Sequence, residues 1–202
     1  MKKIILLAAV AVMSVGSAFA QFNFGAKAGF DLTNFNGSDL TNGMKPSYSV
    51  GVFAEYKFCD KFGVAPEVMF ASQGGKAKAK GSLWTLPVSE SLTFNTNYVN
   101  IPVMLKWYPT SDLSIDFGPQ VGINVYSKIT YEASLAGEGG KETTDVKDDT
   151  KNVDFALGIG ATYNVTDNVF IQARYTYGLT KTFKDDIDAT NGNVFMGVGV
   201  KF

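Results

Sequence analysis

Apolar and polar residues alternate with a period of two along most of this chain. In residues 22–32 one parity reads Phe22, Phe24, Ala26, Ala28, Phe30, Leu32, and the other reads Asn23, Gly25, Lys27, Gly29, Asp31. Successive side chains of an extended strand point to opposite faces, so this pattern predicts a strand with one apolar face. It recurs in residues 48–58, 62–71, 98–108, 113–126, 153–164, 169–179 and 193–202, which makes eight predicted strands. Pro66, Pro102 and Pro119 interrupt it. Each removes a ladder donor, so bulges, or carbonyls satisfied from the interior, are expected there.

Which face is buried in protein decides the architecture. No position on the apolar parity is charged or glycine. The opposite parity carries Lys27, Asp31, Glu55, Lys57, Glu67, Lys106, Asp116, Asp154, Arg174 and Lys201, with about half of the 21 glycines. A soluble, lipocalin-like barrel would turn the apolar face inward. A membrane barrel inverts that order, because a charge facing lipid at mid-bilayer costs about 2–4 kcal/mol. Glycine on the charged parity suits a narrow lumen, and aromatics near the strand ends suit interfacial girdles. The inverted order is therefore expected, with a soluble periplasmic binder as the alternative.

The connections agree. Short links at residues 59–61, 109–112 and 165–168 alternate with long ones near 33–46, 74–97, 127–152 and 180–192. Membrane barrels have this asymmetry of short periplasmic turns and long extracellular loops, and an open sheet edge cannot stand in hydrocarbon. The expected fold is all-β: an eight-stranded antiparallel transmembrane barrel spanning residues 21–202, with both termini in the periplasm.

Residues 1–20 read as a cleaved signal peptide, with Lys2 and Lys3, an apolar run from Ile4 to Val15, and Ala18-Phe19-Ala20 as a small-x-small cleavage site. The apolar run is short for a membrane anchor. Cys59 is the only cysteine, so no internal disulfide forms and no lipid attaches at the cleavage site.

Composition removes most chemistry. With no histidine, the chain cannot build a Ser-His-Asp triad, a Cys-His pair or a His-ligated zinc site. No enzyme activity, cofactor or metal is expected. The charge balance, 18 basic against 19 acidic residues, offers no broad basic face for nucleic acid.

The ordered runs GAKAGFDL (25–32), KPSYSVGVFAEYKF (45–58), FGVAPEVMFASQGGK (62–76), NYVNIPVMLKWYP (97–109), DFGPQVGINV (116–125), FALGIGATYNV (155–165), ARYTYGLTK (173–181) and the terminal VGVKF resemble the PorT-like outer-membrane β-barrel family of Gram-negative bacteria. The resemblance covers the mature chain. It implies an eight-stranded barrel similar to the OmpA and OmpX transmembrane domains, and Phe202 as an aromatic C-terminal signal for the barrel-insertion machinery. The namesake serves a secretion and gliding apparatus, and fold likeness does not transfer that role. An accessory barrel of a secretion apparatus stays an alternative.

The ten inward charges divide evenly by sign, and an eight-stranded interior is just wide enough for side chains to fill. They are expected to neutralise one another as a plug. Pairing through the turn at 109–112 would set Lys106 opposite Asp116. Arg174 would fall beside Gly158 and Gly160, and Glu67, one diagonal from Glu55, would need Lys57 or Lys27. The competing reading is a gated path for small solutes or ions. Lys76, Lys78 and Lys80 could meet lipopolysaccharide phosphates or form a solvated strand extension. Asp145, Asp148, Asp149, Asp185, Asp186 and Asp188 lack the glycine turn and terminal Glu of an EF-hand loop, and Asp60, Asp112 and Asp167 read as turn formers. The expected function is structural or surface-interacting, as a monomer among outer-membrane lipids.

Overall fold

The computed structural model describes residues 22–37, 43–83, 86–135, 138–184 and 188–202. The signal peptide expected at 1–20 lies outside these, as do Asp185 and Asp186. Among the described residues ten strands form: β1 (Phe22–Asn36), β2 (Lys45–Cys59), β3 (Phe62–Gln73), β4 (Lys76–Leu83), β5 (Leu86–Trp107), β6 (Leu113–Leu135), β7 (Glu138–Asp145), β8 (Val153–Asn164), β9 (Val169–Lys181) and β10 (Thr190–Lys201).

Eight of them close a ring. Its order is β5-β3-β2-β1-β10-β9-β8-β6, and the β5–β6 pairing completes the circle, every ladder being antiparallel. These eight correspond to the strands expected from the alternation.

Two connections expected as loops, 74–97 and 127–152, are largely strand. β5 has 22 residues and β6 has 23. At about 3.3 Å per residue each is roughly 70 Å long, twice the thickness of bilayer hydrocarbon even allowing for moderate tilt. Beyond the ring they continue to pair, from Asn97↔Tyr126 up to Val88↔Leu135. β4 adds to the outer side of β5 and β7 to the outer side of β6. The result is a four-stranded tongue, β4-β5-β6-β7, rising from the rim, with a register shift at Asn97/Tyr98 where it leaves the ring.

The prolines do not sit at bulges. Pro66↔Val103, Pro102↔Gln120 and Pro119↔Leu157 lie in unshifted registers, and the register shifts fall instead at Lys57/Cys59, Asn97/Tyr98 and Thr190/Gly192. Pro66 and Pro119 point outward, and only Pro102 is buried in the interior.

Exposure settles which face looks out. Phe30 is 77% exposed and its neighbour Asp31 is 1% exposed. The outer surface is an unbroken apolar belt, including Val50, Val52, Leu105, Phe117, Ile159 and Val198. Inside, glycine makes room for rings: the Phe53 ring packs against Gly25 and the Phe170 ring against Gly199, at the places a Cβ would take. Phe53 and Phe170 meet edge to face, 5.4 Å between centroids.

Candidate functional site: the lumen and its cap

Glu67 on β3 anchors the lumen. Its Oε2 lies 2.8 Å from the Lys27 ammonium, and Arg174 donates to both of its oxygens, Nη1 to Oε2 at 2.8 Å and Nη2 to Oε1 at 2.7 Å. Of the two cations expected for Glu67, Lys27 takes the place. Lys57 instead lies over the Tyr108 ring, 4.2 Å from its centroid. Arg174 stands directly opposite Gly160, with its Cδ over Gly158, as the spacing required.

A second cluster lies nearer the short turns. Lys106 pairs in register with Asp116, its Nζ 3.6 Å from Asp116 Oδ1 and 3.1 Å from Glu55 Oε2. Lys201 approaches Glu55 Oε1 at 3.6 Å and donates to Asn164 Oδ1 at 3.0 Å. Ser114 and Thr162 donate to the two Asp116 oxygens at 2.7 and 2.5 Å.

Gln172 joins the two clusters. Its Oε1 accepts from Lys27 at 2.7 Å, and its Nε2 donates to Asp116 Oδ2 at 3.0 Å. The sequence reading, which followed charge alone, missed it, although Gln172 lies on the inward parity of β9 beside Arg174. Seven of the ten predicted residues (Lys27, Glu55, Glu67, Lys106, Asp116, Arg174, Lys201) thus share one connected network that crosses the interior.

Asp31 and Asp154 stand apart, toward the tongue end. Asp31 accepts from Ser49 Oγ and, at 2.7 Å, from Asn193 Nδ2. Asp154 accepts from Thr180 Oγ1 and, at 3.2 Å, from Asn191 Nδ2, which also reaches the Tyr98 hydroxyl at 3.4 Å. Lys45, also inward, directs its ammonium to Ser72 Oγ and the Gln73 carbonyl.

An aromatic cluster, here called the cap, lies at this end. Phe35 from the end of β1, Phe94 from the foot of the tongue and Phe183 from the segment after β9 meet edge to face at 5.5–5.8 Å, with Ala189 buried among them and Leu92 and Ile129 packed against them. The segment carrying Phe183 is pinned by its bridge to Thr150, which is itself bonded to Ser127 and Asn124. The short-turn end has an open cavity of about 670 Å³ lined by Asn23, Lys57, Lys61, Tyr108 and Thr110. Cys59, beside it, is exposed.

The remaining sequence-level assignments are surface features. Lys76 opens β4, which forms the strand extension that was one of its two readings. Asp145 Oδ1 accepts from the Lys147 amide at 2.9 Å, Asp148 and Asp149 lie in a short 3-10 turn, and Asp188 pairs with Lys181 at 2.7 Å. In the tight turns Thr110 accepts from the Leu113 amide, Thr166 accepts from the Asn168 and Val169 amides, and Asn168 donates its Nδ2 to the Lys201 carbonyl. Asp112 contributes its backbone carbonyl, to Asn164. Phe202 is 81% exposed on the apolar belt, and its amide donates to the Phe24 carbonyl at 2.8 Å.

A closed antiparallel ring with an apolar exterior and a charged interior is the inside-out order of a membrane barrel. A sequence model of the family described as "Outer membrane protein beta-barrel domain" matches residues 19–184. The chain belongs to that family. The outer membrane protein beta-barrel family places it in the outer membrane, with its strands as the membrane-spanning elements. Comparison with curated proteins finds no match. Solved structures similar to this barrel include Ail of Yersinia pestis in a phospholipid nanodisc, 16% identical over 89% of this chain and 99% of that one, TM-score 0.47. Others are Neisserial surface protein A, 16% identical over 90% and 97%, TM-score 0.44, and CarO of Acinetobacter baumannii, 13% identical over 88% and 97%, TM-score 0.43.

Proposed function

We propose that this outer-membrane barrel is a sealed, non-enzymatic, monomeric protein that works through its outer surface and does not conduct solutes. The observation that carries the reading is a pair of layers across the lumen, the Glu67–Gln172–Asp116 network below and the Phe35–Phe94–Phe183 cluster above. An open pore needs a continuous wet path, and here charged groups spend their bonds on one another.

In this reading the tongue is extracellular and both termini are periplasmic. The chain is exported by its signal peptide and inserted by the barrel-assembly machinery, which reads Phe202. It sits among outer-membrane lipids, with Lys76, Lys78 and Lys80 available to lipopolysaccharide phosphates. The residue runs quoted above favour the PorT-like branch of the family.

Planar-bilayer recording tests the closure. The sealed barrel gives no single-channel steps. Steps that change on Arg174→Ala or Lys106→Ala would replace it with the narrow-pore reading.

A further inference from the structure

We propose that the lumen-side face of the tongue is a docking surface for a basic amphipathic helix of a partner protein. The proposal deepens the reading of a barrel that works through its outer surface, and it rests on the extracellular placement of the tongue.

The polarity of the wall inverts at the rim. Along β5 the outward positions Ile101, Val103 and Leu105 are exposed apolar residues of the belt, whereas Asn95, Thr93 and Ser91 hold the same parity in the tongue. In β6 the register shift opposite Asn97/Tyr98 changes the parity, so that outward Ile123 and Val125 give way to Lys128, Thr130 and Glu132. A bulge re-aims the side chains beyond it in this way. The lumen side of the tongue is marked by the buried Phe94, with Ile129 and Thr144 on its rung. The next rung reads Ala77, Leu92, Tyr131 and Glu142. Beyond it Glu90, Ala133 and Gly140 share a rung, and a Cβ at Gly140 would meet open space. Leu92 and Ile129 rest on the cap, but Tyr131 is 41% exposed. Sheets cover an apolar face with a helix or a second sheet. Four strands at about 4.8 Å spacing span roughly 14 Å, which is room for one helix about 10 Å across.

Charge selects the occupant. Among the described residues the lumen-side rungs of the tongue carry Glu90 and Glu142 and no cation, while Lys76, Lys128 and Lys141 all lie on the outer parity. Glu132, also on the outer parity, is neutralised by Lys141 at 3.2 Å. Glu90 and Glu142 are exposed, and among the described residues neither has a cation within ion-pair distance. Glu90 accepts a hydrogen bond from the Tyr131 hydroxyl, which sets its carboxylate at the margin of the apolar strip. An apolar strip flanked by unpaired carboxylates complements a helix whose apolar stripe is flanked by lysine or arginine. A second copy of the tongue does not match. Its basic face is lined by Thr93, Thr130 and Thr143 and has no apolar stripe, and its apolar face is itself acidic.

The test uses the full mature chain, refolded without lipopolysaccharide into phosphatidylcholine nanodiscs, and a fluorescent helical peptide of about eighteen residues with a leucine stripe and a lysine face. One companion peptide carries glutamate in place of lysine, and another scrambles the same composition so that no stripe forms. Anisotropy titrations read the affinities, with empty discs subtracted. The lysine helix should bind the barrel more tightly than either companion. Glu90→Gln/Glu142→Gln should weaken it about three- to tenfold, the yield of two exposed ion pairs. Tyr131→Ser should weaken it about tenfold through lost apolar contact. Glu132→Gln, on the outer parity, should leave it unchanged. Equal affinity across the four proteins, equal affinity for the three peptides, or a signal no larger than that of empty discs would overturn the proposal, the last assigning the peptide to lipid. None of these outcomes bears on closure of the lumen, which bilayer recording decides separately. Should a variant fail to give a fast-migrating unboiled band, the contrast among the peptides on the wild type decides alone.

Discussion

Arg174 and Glu67 meet across the lumen from β9 and β3, strands that share no ladder, in a two-bonded pair at 2.7 and 2.8 Å. Lys27 reaches the same carboxylate at 2.8 Å, so one anion serves two cations. Removing the shared anion is therefore worse than removing one cation. Glu67→Gln should cost about 3–5 kcal/mol of unfolding free energy, the range for stranding buried charge. Arg174→Gln, which leaves Lys27–Glu67 intact, should cost less. Urea unfolding in lipid vesicles orders the two variants, and the reverse order would contradict the shared-anion arrangement.

How much of this was written in the sequence depends on how local each feature is. Strand alternation is local, and the absence of charge on one parity identified the lipid-facing side. Lys106 and Asp116 could be paired on paper because only a short turn separates β5 from β6. Arg174 and Glu67 could not, because their meeting depends on the curvature and diameter of the closed ring. Phe35 and Phe94 continue the inward parities of Asp31 and Tyr98, and were missed because the alternation was followed only across the lipid belt. Phe183 lies outside every strand, so no parity could have placed it. The tongue was hidden because Ala77 and Ala79 make a weak apolar lane between Lys76, Lys78 and Lys80.

The cap should behave as a small hydrophobic core. Phe94 touches both Phe35 and Phe183 edge to face, at 5.7 and 5.8 Å. Phe94→Ala should cost about 3–5 kcal/mol, the usual penalty for emptying a buried ring site. On the sealed-barrel reading, bilayer recordings of the same variant should remain silent, since the ion network below is untouched. Thermal loss of the unboiled band reads the first effect, and steps in the recording would show that the cap alone seals the lumen.

The glycines on the charged parity make a distinct prediction. At Gly199 a Cβ would overlap the Phe170 ring. Gly199→Ala should destabilise by about 1–3 kcal/mol through overpacking. Adding Phe170→Leu should recover part of that loss, because the ring and not the backbone is the obstacle. Urea midpoints of the single and double variants measure the recovery, and a double variant no better than the sum of two independent losses would count against it.

Placement in the membrane predicts a contrast between two exposed positions. Val198 is 58% exposed on β10, in register with Ala28 and Ile171 in the apolar belt. Thr144 is exposed on β7, in the tongue beyond the ring. On a water-soluble barrel both would accept arginine with little effect, within about 0.5 kcal/mol for surface sites. In a bilayer Val198→Arg should cost about 2–4 kcal/mol while Thr144→Arg stays near zero. The measurement is reversible unfolding from lipid vesicles, with each variant compared to wild type in the same lipid. Equal tolerance at the two sites would place the belt outside the hydrocarbon, whereas a loss confined to Val198 fixes β10 as a spanning strand and the tongue as a solvent-borne extension of β5 and β6.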